Sequence, residues 1–371
     1  MTKLLLLGLL ASSVGSAQQT ARLVSPEVHD GVATFRFRDP NAQKVTLNLE
    51  SVKQPYVMKK DEAGVWSVTT GQLDPNYYGY SFEADGVRLL DPSNGHINPN
   101  LLNPSSSLHV PSSAPMPWEN TDIAHGTVQH HFYHSGIVGD NRDFYVYTPP
   151  GYDAAAKTTY PVLYLLHGYS DDASGWTAVG KANYILDSLI ATAKIRPMIV
   201  VMPLGYGAPE IVHPTPQSGS ALQNRELRER NNNKFRDSLV EEVIPMVEKS
   251  YKVQTNRDSR AIAGLSMGGA ESLLTGLNRL DLFGWVGSFS AGGLGDDFAA
   301  AFPQLNAQSA AQLHLLWIAC GTDDRLITPN RELVKWLKSK NINPTSIETP
   351  GMHTWQVWRN NLIAFAPLLF R

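Results

Sequence analysis

Cysteine is nearly absent. The 371-residue chain has one, Cys320, which rules out any disulfide within it. Stability must therefore come from packed side chains, and 42% apolar residues over this length can fill one large core or two unequal ones. Cys320 ends the apolar run Leu313–Cys320 and reads as a buried structural thiol rather than a nucleophile. Clusters of basic residues are missing as well: net charge is -3 with Lys and Arg scattered, so nucleic acid is not an expected partner. No apolar stretch is long enough to span a bilayer, so no membrane partner is expected either. The short run Leu4–Leu10 follows Lys3 and leads into Gly15-Ser16-Ala17, the plan of an export signal over residues 1–17 with cleavage after Ala17 and a periplasmic or secreted product. Neither an H-E-x-x-H zinc motif nor a G-x-G-x-x-G dinucleotide fingerprint occurs, so no metal or organic cofactor is implied. No repeat of fixed period is present, and nothing in the sequence reports an oligomeric state.

What is present divides into two patterns. Residues 22–112 carry short segments of alternating polarity, such as Val32–Arg38, Lys44–Leu49, Val65–Thr69 and Tyr77–Phe82, separated by Asp-Pro, Asp-Gly and Glu-Ala-Gly turns. Period-two alternation with such turns predicts a small antiparallel β-sandwich. The stretch Asn98–Trp118 is rich in Pro, Ser and Asn and reads as linker-like, with residues 113–120 as the linker between the two domains and His109 solvated. From residue 121 to the end the pattern changes. A hairpin, Thr127–Tyr133 with Arg142–Thr148, precedes unbroken apolar strands that alternate with helical stretches: Tyr160–Leu166, Met198–Met202, Ala261–Ala263, Trp285–Ser290, Leu313–Cys320 and Thr345–Glu348. Such runs separated by helices predict an α/β domain, a mainly parallel sheet covered on both faces. The predicted helix Phe235–Lys249 has its apolar stripe on Phe235, Leu239, Val243 and Val247 and a kink at Pro245. Before it, residues 205–233 read as a long polar loop, a candidate lid.

The chemistry centres on Gly264-Leu-Ser-Met-Gly268. An apolar strand precedes it and a helical pattern follows, the context of a nucleophile elbow in which a tight turn presents a serine above a sheet edge. A serine hydroxyl needs a base, and the base needs an orienting carboxylate. Two histidines follow Ser266: His314 lies within an apolar run and reads as core, whereas His353 sits in the Gly-containing loop Pro350–Trp355, from which an imidazole can reach the sheet edge. For the acid, Asp323 and Asp324 directly follow the strand ending at Cys320, and spacing leaves both open; Asp281, Asp296 and Asp297 read as caps or solvated loop. An oxyanion needs two backbone donors. Met267 supplies one, and the loop His167-Gly168-Tyr169 the other, through Tyr169 or Gly168. His167, fixed at a strand end, reads as structural. Trp176, Trp355 and Trp358 are candidates to line a substrate cleft, with packing an equal alternative for each.

Two resemblances follow from these residues. Gly64-Val-Trp66, Leu73-Asp-Pro75, Tyr78–Phe82, Asp85-Gly86 and Asp91–Asn94 resemble early-set immunoglobulin-like domains related to family 48 carbohydrate-binding modules. The later half is similar to the α/β-hydrolase esterase group that includes carbohydrate esterase family 1 (feruloyl and acetylxylan esterases), enterochelin esterases and mycolyltransferase-like proteins. The matching stretches are Tyr147–Tyr152, Leu165–Gly168 with Gly175-Trp176, Phe235–Pro245, Gly264–Gly269, Cys320–Asp324, and Gly351–His353 with Trp355–Trp358. The resemblance implies a serine esterase in which Asp324 is the acid and His353 the base, acting on a carbohydrate ester such as feruloylated or acetylated xylan. A siderophore esterase, an acyltransferase and a non-catalytic glycan-binding scaffold are the alternatives. One departure is visible: where the group often reads His-Gly-x-Gly-Gly, this chain has His167-Gly-Tyr-Ser-Asp171.

Overall fold

The structure is a computed structural model that describes residues 23–213 and 224–371. The export signal expected over residues 1–17 lies outside the described residues. Two antiparallel sheets are built from residues 27–110. One has the strand order Glu27–His29, Val32–Arg38, Val65–Gln72, Lys59–Lys60; the other runs Tyr56–Val57, Val45–Leu49, Asn76–Ala84, Ser105–Val110, Ile97–Asn98. Alternation decides what is inside: Ala33, Phe35 and Phe37 point inward from the first sheet and meet Leu47, Tyr80, Phe82 and Leu108 of the second. Phe35 and Tyr80 pack edge to face with centroids 4.8 Å apart.

The stretch expected to be a linker is only partly one. Ile97–Asn98 and Ser105–Val110 are strands of the sandwich, because Leu108 and Val110 bury fully against it despite the Ser-rich surroundings. His109 is not merely solvated: it stacks on Tyr77 at 4.4 Å and bonds Glu119. Trp118 inserts into the core of the second half of the chain.

That second half is organised by an eight-stranded sheet. We number its strands β1 (Thr127–His134), β2 (Asn141–Thr148), β3 (Val162–Leu166), β4 (Ile199–Pro203), β5 (Arg260–Leu265), β6 (Trp285–Phe289), β7 (Leu315–Gly321) and β8 (Thr345–Thr349). Their order is β1-β2-β4-β3-β5-β6-β7-β8, antiparallel as far as the β2–β4 pair and parallel from there on. The fold is that of an α/β-hydrolase preceded by an all-β sandwich. Alternate residues of β3 feed opposite layers: Leu163 and Leu165 join one core, and Val162, Tyr164 and Leu166 the other. The helices α1 (Ala182–Ala191) and α5 (Trp355–Phe365) cover the first face; α2 (Arg225–Ser238), α3 (Met267–Asn278) and α4 (Ile327–Ser339) cover the second. Among the described residues no helix is long and apolar enough to cross a membrane.

Three sequence expectations change here. The segment 205–233 is not one long loop, since α2 begins at Arg225, capped by Asn224 through the Leu227 amide; residues 214–223 lie outside the described part. The expected kink at Pro245 takes the form of one wide π turn, Leu239–Val243, continuing into Ile244–Ser250. Proline has no N–H for the carbonyl four residues back, so the ladder changes step there. The stripe Phe235, Leu239, Val243, Val247 is buried throughout. His314 is not core: it is exposed just before β7, stacked on Trp285 and bonded to Asp258.

Candidate active site

Four strand ends, β3, β5, β7 and β8, deliver their following loops to the same edge of the sheet, the carboxyl edge where open α/β sheets place their ligands. Between β5 and α3 the backbone reverses over Ser266, whose φ of 51° and ψ of -113° are costly for a non-glycine residue. The neighbouring glycines make the bend possible. A Cβ on Gly264 would lie 2.4 Å from the Gly268 carbonyl oxygen, and one on Gly268 would lie 2.3 Å from that of His167. The strained serine is held by its amide, which donates to the Phe289 carbonyl at 2.8 Å, and by its carbonyl, which accepts from Gly292 at 3.0 Å.

Ser266 Oγ is 2.9 Å from His353 Nε2, and His353 Nδ1 is 2.7 Å from Asp324 Oδ2. The other oxygen of Asp324 accepts the Leu326 amide at 2.8 Å. Burial works to raise the Asp324 carboxyl, but the bonds from His353 and Leu326 outweigh it and hold the group below the ordinary carboxylate range. An ionised Asp324 fixes the proton on Nδ1, which leaves Nε2 as an acceptor for the serine O–H. Asp323 faces away, exposed and paired with Lys53 at 3.4 Å. Asp281 pairs with Arg279, and Asp297 caps a short helix at Phe298.

On the opposite side of Ser266 lies the loop after β3. His167 is buried there and its pKa is lowered by that burial. Its Nε2 accepts the Gly205 amide at 2.8 Å, so the ring is neutral and donates from Nδ1 to the Gly168 carbonyl, also at 2.8 Å. This is a structural histidine with both nitrogens occupied. The Tyr169 amide and that of Met267, the first residue of α3, have no protein acceptor among the described residues. The Gly168 backbone instead serves the Asp171 carboxyl.

A cavity of about 670 Å³ opens over Ser266, lined in part by Tyr169, Arg228, Arg325, His353, Trp355 and Trp358. Trp358 meets the His353 ring edge to face at 4.8 Å. Trp176 does not line the cavity. It is fully buried, its Nε1–H donates to the Leu166 carbonyl, and its ring packs against Phe289 and Trp355, so it belongs to the core. The candidates Tyr169, Met267, Gly168, Trp355 and Trp358 all reach the cavity. Sequence reading missed Glu50 and Asn100 of the sandwich and Arg325 of the α/β half, which reach it too, while Arg228 and Asn231 reach it from the 205–233 segment read as a candidate lid. None sits in a local motif, so only the assembled fold brings them into view. Cys320, as expected, is buried, and burial pushes its thiol up to about 12.

A sheet of this topology, with a strained serine, an imidazole and a buried carboxylate at its carboxyl edge, has the arrangement of an α/β-hydrolase nucleophile site. Residues 135–369 match the family model described as "Putative esterase", and the chain belongs to that family. It is 30% identical over 349 residues to an endo-1,4-beta-xylanase/feruloyl esterase of Xylanibacter ruminicola, a match covering 92% of this chain and 45% of that protein. The chain thus spans under half the length of that relative. An acetyl esterase of Caldicellulosiruptor saccharolyticus is 24% identical over 237 residues, 55% of this chain and 80% of that one. Among solved structures, a carbohydrate esterase family 1 ferulic acid esterase from Anaeromyces mucronatus superposes with a TM-score of 0.59 at 24% identity, over 69% of this chain and 96% of that chain. The enterobactin esterase of Shigella flexneri reaches 0.66 at 19% identity, over 91% and 92%. At these identities the two structures share the fold.

Proposed function

We propose that the protein is an exported serine esterase that removes feruloyl or acetyl groups from plant cell-wall polysaccharide, xylan in particular. The observation that carries the catalytic part is the continuous chain of hydrogen bonds from Ser266 Oγ through His353 to Asp324 at the floor of the cavity. In this reading His353 Nε2 takes the serine proton as Oγ attacks the ester carbonyl, and Asp324 stabilises the imidazolium that results. The amides of Met267 and Tyr169 receive the developing oxyanion. His353 then protonates the departing sugar hydroxyl, leaving an acyl-enzyme on Ser266. Water, deprotonated by the same nitrogen, attacks the acyl carbonyl and releases the acid. Trp355 and Trp358 give the acyl group an apolar wall. The substrate class rests on the relatives named for feruloyl and acetyl esters.

A siderophore ester is the second reading, favoured by the likeness to the enterobactin esterase over both halves of the chain. Turnover of feruloylated and acetylated xylo-oligosaccharides and of enterobactin, each with wild type and Ser266→Ala, decides between them. Release of ferulate or acetate abolished by the substitution supports the polysaccharide reading. Turnover of enterobactin alone replaces it, and transfer of the acyl group to added sugar in preference to water marks an acyltransferase. A wild-type protein that turns over none of these esters and resists a fluorophosphonate label at Ser266 is a binding scaffold. N-terminal sequencing of protein recovered outside the cytoplasm tests export and cleavage after Ala17.

A further inference from the structure

We infer that the N-terminal sandwich is a positioning element of the ester-hydrolysing site, holding the oxyanion loop and the base-bearing loop through Asn100, Leu101 and Glu50. This rests on the esterase reading above. One contact is with the loop after β3. The Leu101 amide donates to the Ser170 carbonyl at 2.7 Å, and Asn100 Nδ2 donates to Asp171 Oδ1 at 3.0 Å. Asn100 is itself fixed, because its Oδ1 accepts the amides of Leu102 and Asn103. Both contacts fall on the two positions where the related esterases often carry glycine. Ser170 has a φ of 70°, a conformation glycine adopts freely and serine does not. The sandwich thus supplies from outside the fixation that a non-glycine loop needs, one and two residues beyond the Tyr169 amide. Tyr206 completes the frame, donating to the Asp171 carbonyl at 2.7 Å.

The other contact is with the loop that carries the base. Helix α5 starts at Trp355, two residues after His353, and its N-cap residue Thr354 makes no side-chain cap bond. Glu50 of the sandwich takes that role: Oε1 accepts the Trp355 amide at 2.9 Å, and Oε2 accepts the Gly79 amide at 2.8 Å. A carboxylate at a helix N-terminus is favoured both by the unpaired amides and by the helix dipole. Gly79 lies mid-strand in Asn76–Ala84, and the same strand is tied to α5 by Arg359. That fully buried guanidinium bonds Asn76 Oδ1 at 2.8 and 3.1 Å and the Tyr77 carbonyl at 2.7 Å. The two sandwich contacts and the tie to α5 therefore converge on one sheet, so the separation of the two loops is set by a rigid element rather than by either loop.

The test uses full-length protein and 4-nitrophenyl acetate, an ester too small to depend on contacts with the sandwich. Asn100→Ala and Glu50→Ala are each expected to lower kcat about 10-fold with KM within about twofold, and the pair about 100-fold, because misplacing reacting groups by a fraction of an ångström costs rate rather than binding. Affinity for a phenylboronic acid, which forms a tetrahedral adduct on Ser266, should weaken in step with kcat, whereas inhibition by acetate should not. Glu50→Gln keeps one acceptor oxygen and should recover part of the Glu50→Ala loss. Rates are normalised to sites titrated with a fluorophosphonate, so unfolded protein does not count. Wild-type kcat in both alanine variants, or a loss confined to the titrated fraction, overturns the inference while the esterase reading stands. A wild type that neither hydrolyses the ester nor takes the label overturns the esterase reading itself.

Discussion

The loops after β3 and β7 both place a buried aspartate beside Ser266, and the two carboxyls are opposites. Asp324, after β7, meets an imidazole and a backbone amide, and these hold it ionised against the cost of burial. Asp171, after β3, receives bonds from Asn100 and from the Gly168 backbone, but the charges that reach it, Asp172 and Glu50, are negative. Burial dominates there and pushes its carboxyl up to about 7. The same side chain is thus held as an anion on one side of the nucleophile and as a partly protonated hydrogen-bonding group on the other. What differs is the presence of a partner that can carry positive charge. In the proposed reaction the lasting anion lies on the side where the imidazolium would form, whereas on the side of the Tyr169 amide burial and the neighbouring carboxylates reduce the charge that Asp171 itself carries.

The sharpest way to break this contrast is to neutralise Asp324. Asp324→Asn keeps the shape but removes the anion and can stabilise the wrong imidazole tautomer, so kcat for a small ester should fall about 10³- to 10⁴-fold with KM little changed. Steady-state rates normalised to titrated sites measure it, and a loss below tenfold would mean that the carboxylate is not the orienting group. The pH sign follows from its lowered value. Its stabilising contribution is complete above the unfolded carboxylate range and disappears as pH falls through the still lower folded value.

Asp171→Asn should act in the reverse direction and on stability. With a folded value near 7 against an ordinary 3.8, the wild type retains a proton when folded that it releases when unfolded. Its stability therefore declines relative to the asparagine variant as pH rises from about 4 to about 7, and the difference is constant above that. The full span is on the order of 4 kcal/mol. Urea unfolding at pH 4, 5.5, 7 and 8 reads the difference, and two parallel pH curves would show that Asp171 titrates normally.

The β5 and β7 loops were far more legible in the sequence than the sandwich contacts. Gly264, Ser266 and Gly268 are neighbours in the chain, and the steric demand that selects them is local, so their spacing announces the bend. The strands were readable for a similar reason, since each apolar run is long enough to show its period by itself. Trp176 could not be placed this way, because a tryptophan beside a glycine looks the same whether its indole faces a cavity or a core. The start of α2 was hidden by its composition: Arg225–Asn233 is almost wholly polar, and the face that packs on the rest of the fold is supplied by Leu227 and by Asn231, which bonds the buried Glu271 of α3. Arg359 and Asn76 stand 283 positions apart, and nothing near either one signals the other. Pairings of that kind arise from the docking of two layers and leave no period to read.

The smallest effect is expected where the β3 loop departs from glycine. Ser170 at a φ of 70° carries a cost of about 1 to 2 kcal/mol that glycine would not. Glycine would also give the unfolded chain more freedom, worth roughly 0.5 to 1 kcal/mol in the other direction. The two terms offset each other to within about 1 kcal/mol, and the bond that Leu101 makes is to the Ser170 backbone, which glycine retains. Ser170→Gly should therefore leave both the urea midpoint and kcat close to those of the wild type. If it stabilised the protein markedly, the loop would be strained in a way its bonds to the sandwich do not offset. If it lowered kcat tenfold with the fold intact, the serine side chain itself would be restricting the Tyr169 amide, and the sandwich would be only part of what aims the donor at the oxyanion.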